Sequence, residues 1–286
     1  MKTKVLFLVT LIAFMVTSCT TPETPTPTTV PQTPVPVTQV PQTATPEPRT
    51  LTVLASASLT ESFTEIAGLF ESQNPGVTIA ISFGGTQVLA EQLAQGAPAD
   101  VFASASNKYM DEVISAGRVT EGSQTIFAKN KLVVIFPKEN PAGLENLLDL
   151  TKPGLIIDLA NKSVPVGQYS IDYLDKTITN PAFPATYKDD FIKNVVSFET
   201  DVKSVVSKVV LGEADAGIVY LTDYISAADD LGMMDIPDDL NAIASYPIAP
   251  LTDAINADIA SDFIDMVLSP DGQAIMAKYG FVVIAK

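Results

Sequence analysis

The chain has 286 residues, with 17 Lys and Arg against 33 Asp and Glu, and a formal net charge of −16 at pH 7. This negative balance argues against nucleic acid and anionic membrane surfaces as partners. The sequence contains no His, no Trp and a single Cys. These absences exclude Ser-His-Asp catalysis, most zinc or copper sites and a disulfide within the chain.

Residues 1–18 are predicted to form a lipoprotein signal peptide. Lys2 and Lys4 form a basic start, and Val5–Val16 is an apolar run too short to span a membrane stably. The run ends in Val-Thr-Ser-Cys, which is similar to a lipobox, so we expect Cys19 to be lipidated and to become the mature N-terminus. An ordinary signal peptide with an incidental cysteine is the alternative.

Residues 19–50 are predicted to hold the lipidated cysteine and a stalk. The segment from Thr20 to Arg49 contains nine of the 21 prolines of the chain and is rich in Thr. Such a composition cannot bury a core and favours extended polyproline II structure. At ~3.1 Å per residue the segment would reach roughly 90 Å. We therefore expect it to separate a membrane anchor from a folded domain.

From Leu51 onward, apolar runs typical of buried strands alternate with segments of helical periodicity. The predicted strands are Leu51–Leu54, Val77–Phe83, Val101–Ala103, Leu132–Phe136, Leu155–Ile157, Ala216–Val219 and Ser245–Ala249. Apolar residues at helical spacing are Phe63, Ile66 and Phe70, then Val202, Val205, Val206, Val209 and Val210, then Ile259, Phe263 and Val267. The alternation predicts an α/β fold with parallel or mixed sheets covered by helices.

Several predicted strand-to-helix junctions carry hydroxyls and exposed backbone N–H groups. Ser58 and Glu61 have the spacing of a capping box, and Gly84, Gly85 and Thr86 begin the next helix. The stretches SVPVGQY and SFETDVK begin two later helices in a similar way. Helix N-termini attract anions, and open α/β sheets bind ligands at the carboxyl ends of their strands. The junctions together predict an anion site that needs no Lys or Arg, although Ser58 taken alone is better explained as a helix cap.

Catalytic motifs are absent from the sequence. No G-x-S-x-G, P-loop or G-x-G-x-x-G motif occurs. Asp215, in Glu-Ala-Asp after a predicted helix end, is typical of a solvated turn, and Asp100 is better explained by a structural role beside a strand. We therefore predict a protein that is not an enzyme and that uses no cofactor.

One family has the same motifs in the same order. The segment LTVLASASLTESFTEIAGLFESQNPGVTIAISFGGTQVLAEQLAQGAPADVFASA strongly resembles the N-terminal part of molybdate-binding proteins of ABC importers. VPVGQY, GEADAGIVY and SPDGQAIMAKYGF resemble later landmarks, so the resemblance covers about Leu51 to Phe281. It implies a two-lobed type II periplasmic-binding-protein fold with the ligand cleft between the lobes. We expect residues 51–130 and 245–286 to form lobe 1, and residues 131–244 to form lobe 2.

The resemblance also implies a set of ligand-binding residues. By matching position, these are the hydroxyls of Ser58 and Thr86, the backbone N–H groups of Val166 and Val202, and the phenol of Tyr220. Thr86 stands where the family usually has a second serine. A second branch of the family places an acid, which binds the metal, just before its Pro-x-Gly step. This chain has Val164 there, so we expect a tetrahedral oxyanion held without a direct bond from the protein to the metal.

The expected function follows from the same resemblance. It implies a monomeric, lipid-anchored, extracytoplasmic receptor that captures molybdate or tungstate and delivers it to an ABC transporter permease. A receptor for sulfate or thiosulfate is the nearest alternative. Phosphate is less favoured, because a protonated ligand calls for a carboxylate acceptor. A stalked surface hydrolase or an adhesion protein is the alternative from a different class.

Overall fold

The structure, a computed structural model, describes residues 47–284. The predicted signal peptide, Cys19 and nearly all of the predicted stalk lie outside this range. Within the described residues, none of the helices combines the length and apolarity needed to cross a membrane.

Eleven strands and nine α-helices make up the described part of the chain. The strands are β1 (Arg49–Ser56), β2 (Val77–Gly84), β3 (Val101–Ala103), β4 (Thr125–Asn130), β5 (Leu132–Pro137), β6 (Ile157–Ala160), β7 (Val195–Glu199), β8 (Ala216–Tyr220), β9 (Leu231–Asp235), β10 (Ala244–Pro250) and β11 (Val282–Val283). The helices are α1 (Thr60–Gln73), α2 (Thr86–Ala94), α3 (Asn107–Ser115), α4 (Pro165–Thr177), α5 (Tyr187–Lys193), α6 (Val202–Val210), α7 (Leu221–Ser226), α8 (Ala257–Leu268) and α9 (Pro270–Lys278). Short 3₁₀ helices cover Ala57–Leu59 and Leu147–Thr151.

The first mixed sheet has the strand order β11-β4-β10-β3-β1-β2. β1 is parallel to both β2 and β3, whereas β10 is antiparallel to β3 and β4. Helices α1, α2, α3 and α8 pack on this sheet. Because helices cover both faces of the sheet, Leu51, Val53 and Ala55 on one face of β1 and Leu54 on the other are all buried, which explains the continuous apolar run. We refer to this sheet and its helices as lobe 1.

The second mixed sheet has the strand order β7-β6-β8-β5-β9. β6 is parallel to β7 and β8, and β5 is antiparallel to β8 and β9. Helices α4 and α6 pack on β6 and β8, and we refer to this sheet and its helices as lobe 2. The chain leaves the first sheet after Asn130, enters the second at Leu132, and returns to the first between β9 and β10.

The predicted helical stripes become the buried faces of their helices. Phe63, Ile66 and Phe70 of α1 are buried, and the Phe63 ring lies 5.6 Å from that of Phe127 and 6.0 Å from that of Phe263. In α6, Val202, Val205, Val206 and Val209 are buried. Val210 lies at the edge of that stripe and is 38% exposed. The two lobes therefore each contain a core formed by a helix stripe against a sheet.

Two local predictions differ from the structure. The run at Leu155–Ile157 meets a strand only at Ile157, because β6 starts there and continues to Ala160. The capping box at Ser58 does not form: α1 begins at Thr60, and Leu59 precedes it without a side-chain cap. Instead, Ser58 lies inside the 3₁₀ turn, and its hydroxyl contacts a residue far along the chain.

Asp158 of β6 is a buried carboxylate with no hydrogen-bond partner for either oxygen within residues 47–284. Burial, reinforced by the charge of Glu199, raises its pKa to about 7, while Lys208 opposes the shift. Lys208 is itself engaged with Glu199 and with Ser197. Folding therefore favours the protonated form of Asp158. Its contribution to stability is complete below the unfolded pKa of about 3.9 and is lost as the pH rises through about 7.

We predict that Asp158→Asn removes this pH dependence. The wild type should lose stability relative to the variant between pH 4 and pH 8. The upper limit is about 4 kcal/mol, because a pKa difference of about three units corresponds to roughly that free energy. Urea unfolding of both proteins across this pH range measures the difference. Parallel profiles for the two proteins would show that Asp158 is already ionised at pH 4 in the folded state.

Candidate functional site

A cavity lies between the two lobes, and every residue that lines it follows the carboxyl end of a strand or is the last residue of one. Lobe 1 contributes Ser56, Ala57, Gly85, Thr86 and Ala105, and lobe 2 contributes Val164, Pro165, Val166, Asp201, Val202 and Tyr220. Open α/β sheets place their ligand sites at this edge. The empty space, counted with its mouth, is about 200 Å³. Because this figure includes open solvent at the mouth, the enclosed part is smaller still and suits a small ion rather than an organic ligand.

Helix N-termini from both lobes converge on the cavity. α2 begins at Thr86 and α4 at Pro165, while α6 begins at Val202. The first backbone N–H groups of a helix have no acceptor within that helix, and the helix dipole makes its N-terminal end partly positive. None of the described residues lining the cavity is Lys or Arg. The groups at the cavity wall that attract anions are therefore the backbone N–H groups of these helix starts, a known basis for anion binding.

Asp201 is the one carboxylate among these lining residues. It caps α6, accepting hydrogen bonds from the backbone N–H of Ser204 at 3.0 Å and from the hydroxyl of Ser204 at 3.1 Å. The cap satisfies the third N–H of the helix. It leaves the N–H groups of Val202 and Lys203, the first two of α6, for another acceptor.

Close backbone packing positions the start of α4. A Cβ atom at Gly167 would lie 2.1 Å from the carbonyl oxygen of Asn161 and 2.4 Å from that of Ala160. Only glycine allows the first turn of α4 to lie this close to the end of β6. The N–H group of Val166, one residue earlier, is thereby held at the cavity wall.

The hydroxyl of Tyr220 makes no hydrogen bond to any of the described residues. The side chain is 1% exposed, and its oxygen has no hydrogen-bond partner within residues 47–284. Burial raises the pKa of this phenol well above its usual value, so the group stays protonated and remains a donor. A buried polar group without a partner is destabilising by about 1–3 kcal/mol. A ligand that accepted this hydrogen bond would remove the penalty.

Thr86 presents a second available donor. Its Oγ1 accepts a hydrogen bond from the backbone N–H of Ala105 at 3.3 Å, and the side chain is 1% exposed. A hydroxyl that accepts one bond still has its proton to donate. The threonine can therefore contribute to the cavity what a serine would.

Ser58 is the one predicted site residue that is not part of the cavity lining. Its Oγ lies 2.9 Å from the hydroxyl of Tyr246 and 3.3 Å from Oγ of Ser56, which does line the cavity. The structure thus brings Thr86, Val166, Val202 and Tyr220 together, with Ser58 directly behind Ser56. The predicted ligand set does not include Ser56, Ala57, Ala105 or Asp201, which also line the cavity, or Tyr246, which contacts Ser58. The first two stand beside Ser58 at the end of a strand, which was the available signal.

Contacts between the lobes close the cleft around the cavity. The side-chain amide of Gln87 donates a hydrogen bond to the carbonyl oxygen of Thr200 at 2.8 Å. The hydroxyl of Tyr109 donates one to the backbone carbonyl oxygen of Ser163. A Cβ atom at Gly85 would lie 2.5 Å from the same oxygen of Thr200. Glycine at position 85 therefore permits the two lobes to approach this closely.

Comparison with known proteins identifies the family. Residues 51–282 match the family described as bacterial extracellular solute-binding protein. The chain belongs to this family. It is 37% identical over 233 residues to the molybdate-binding protein ModA of Mycobacterium tuberculosis (strain H37Rv), covering 82% of this chain and 84% of the relative. These matches confirm the family that the sequence motifs indicated.

Solved structures confirm the two-lobed α/β fold. A structure described as the substrate binding domain of a putative molybdenum ABC transporter from Clostridium difficile has a TM-score of 0.62 at 28% identity, covering 83% of this chain and all of that one. The periplasmic molybdate-binding protein of Azotobacter vinelandii has a TM-score of 0.70 at 23% identity, covering 82% of this chain and all of that one. At that identity the second match supports the fold alone.

We predict that Gly85→Ala holds the two lobes of this solute-binding protein apart, because the added methyl meets a backbone oxygen that cannot rotate away. Gly84→Ala is the matched control, since a Cβ there makes only ordinary contact, at 3.5 Å, with Leu89. Spin labels at Lys108→Cys in lobe 1 and Lys162→Cys in lobe 2, in a chain carrying Cys19→Ser, report the separation. Only Gly85→Ala should lengthen it; equal distances in both variants would contradict the proposed close approach.

Proposed function

We propose that this chain is an extracytoplasmic receptor that captures molybdate or tungstate and delivers it to an ABC transporter permease, without catalysing a reaction. The buried hydroxyl of Tyr220, which has no hydrogen-bond partner within residues 47–284, carries the proposal, because it calls for an acceptor that this part of the chain does not supply. The relatives named as molybdate-binding proteins support the choice of ligand.

The donor set matches a fully ionised tetrahedral oxyanion. We propose that the hydroxyls of Ser58, Thr86 and Tyr220 and the N–H groups of Val166 and Val202 hold it without a direct bond to the metal. For Ser58 this requires its hydroxyl to turn from Tyr246 toward the ligand. Hydrogen bonds to a charged acceptor are stronger than neutral ones, so five such donors can hold an ion that has lost its hydration shell.

The lobe boundaries and the anchor are part of the same proposal. We propose lobe 1 as residues 51–130 and 245–286 and lobe 2 as residues 131–244, supported by the sheet that each strand joins. We further propose that Cys19 carries lipid, that residues 1–18 are removed, and that the stalk holds a monomeric receptor at the outer face of the cell membrane. The lipobox-like sequence supports this part.

We predict that molybdate and tungstate bind far more tightly than sulfate or phosphate. The longer metal–oxygen bonds reach all of the donors at once, whereas sulfate is too small to do so. Phosphate carries a proton that needs an acceptor, and the one lining carboxylate, Asp201, already accepts two hydrogen bonds. Calorimetric titration of the chain carrying Cys19→Ser with the four anions measures the order. Equal affinity for sulfate and molybdate would exclude the proposed specificity.

Removal of single hydroxyls tests the site. We predict that Ser58→Ala and Tyr220→Phe each weaken molybdate binding by about tenfold to a hundredfold, which corresponds to roughly 1.5–3 kcal/mol for a hydrogen bond to a charged group. Thr86→Ala should have an intermediate effect, because that hydroxyl also accepts a bond from Ala105. Val166→Ala is the control: it keeps the backbone N–H group and should keep the affinity.

Calorimetry with molybdate gives these affinities, and thermal melting without ligand separates site effects from folding effects. Tyr220→Phe should not lower the melting temperature of the ligand-free protein, because the described residues offer this hydroxyl no hydrogen-bond partner. Wild-type affinity in both Ser58→Ala and Tyr220→Phe would show that the site lies elsewhere.

A further inference from the structure

An ion cluster links the two lobes directly beside the cavity. Lys203 follows Val202 in the first turn of α6, and its Nζ contacts both carboxylate oxygens of Glu61 in α1, at 2.8 and 2.9 Å. The same Nζ lies 3.2 Å from Oδ1 of Asp223 in α7. Glu61 belongs to lobe 1, whereas Lys203 and Asp223 belong to lobe 2. The cluster is therefore complete only while the lobes are together.

Asp223 connects the cluster to the proposed site. The carboxylate is 0% exposed, and its Oδ2 accepts a hydrogen bond from the backbone N–H of Tyr220 at 3.3 Å. Its Oδ1 contacts Lys203 as an opposite charge and not as a well-aligned hydrogen bond. Removal of the lysine would leave a buried carboxylate without a counter-charge, which is strongly destabilising.

Charges on both sides hold the cluster in its ionised form. Burial raises the pKa of Asp223 to about 6, and Lys203 opposes that shift. Burial alone would lower the pKa of Lys203, but Asp223 and Glu61 together raise it. At neutral pH the lysine is therefore a cation held between two carboxylates, one from each lobe.

We propose that Lys203 is a positioning residue that couples closure of the lobes to the shape of the anion site. The inference rests on the proposed function and adds to it. When the cleft closes, Glu61 fixes the lysine, and the lysine fixes the first turn of α6, where the N–H of Val202 faces the cavity. Through Asp223 it also fixes the backbone at Tyr220. Closure of the lobes and placement of the donors at Val202 and Tyr220 therefore occur together.

The rival explanation is direct attraction between the lysine charge and the anion. The two explanations predict opposite results for Glu61→Gln. If the lysine acts through position, loss of the contact with lobe 1 weakens binding. If it acts through charge, removal of a nearby negative group strengthens binding.

Molybdate titration and dissociation kinetics of the full chain carrying Cys19→Ser test the proposal. We expect Glu61→Gln to weaken binding about three- to tenfold, mainly through faster dissociation, and Lys203→Met to weaken it at least tenfold. The double variant should bind no more weakly than Lys203→Met, because both changes break one linkage. Spin labels at positions 108 and 162 should show a wider cleft in Glu61→Gln with molybdate bound.

Glu65→Gln is the matched control. Glu65 lies on the same helix α1 and has the same charge, but it binds Lys278 and Tyr279 within lobe 1. We expect this variant to keep the wild-type affinity and cleft width. Affinity of Glu61→Gln equal to or above that of the wild type, or strictly additive losses in the double variant, would overturn the inference and leave the proposed function intact. Absence of molybdate binding by the wild type would overturn both.

Discussion

Free backbone N–H groups at the starts of α2, α4 and α6 are the constraint on which the rest of the structure depends. These groups have no acceptor within their own helices, so the cavity must meet a ligand or water there. β2, which precedes α2, is parallel to β1 in lobe 1, and β6 and β7, which precede α4 and α6, are parallel in lobe 2, so within each lobe these carboxyl ends lie at the same edge of the sheet. Glycine at position 167 lets the start of α4 pack against the end of β6, and glycine at position 85 lets the start of α2 approach Thr200 in lobe 2, so both bring helix starts to the cavity.

The chain and its proposed ligand are both negatively charged, but repulsion between charges weakens with the distance that separates them. Exposed charges separated by more than about 8 Å are largely screened at physiological ionic strength, whereas dipoles that touch the ligand are not. The lining side chains are mostly small or apolar, so they do not compete with the backbone for the ion. Lys203, which follows the lining residue Val202, is held between two carboxylates.

Local patterns predicted seven of the eleven described strands, missing β4, β7, β9 and β11, and contacts between distant residues could not be predicted from them at all. β1, α1 and α6 follow from runs and stripes that a single segment contains. β7 was missed because it is an edge strand: Val196 and Phe198 are 63% and 51% exposed, so its pattern does not indicate a buried run. The hydroxyl of Ser58 meets Tyr246, 188 residues away, and Lys203 meets Glu61, 142 residues away. The family resemblance placed Thr86 and Tyr220 because it carries such long-range information.

The position of β10 determines the order in which the lobes can be completed. All five strands of lobe 2 lie between Leu132 and Asp235, so that sheet needs nothing from outside this interval. Lobe 1, in contrast, receives β10 between β3 and β4, in the middle of its sheet and more than a hundred residues after either of them. When a chain emerges with its N-terminus first, the later lobe in the sequence can therefore finish before the earlier one. Until β10 arrives, the edges of β3 and β4 stay unpaired, and such edges invite aggregation.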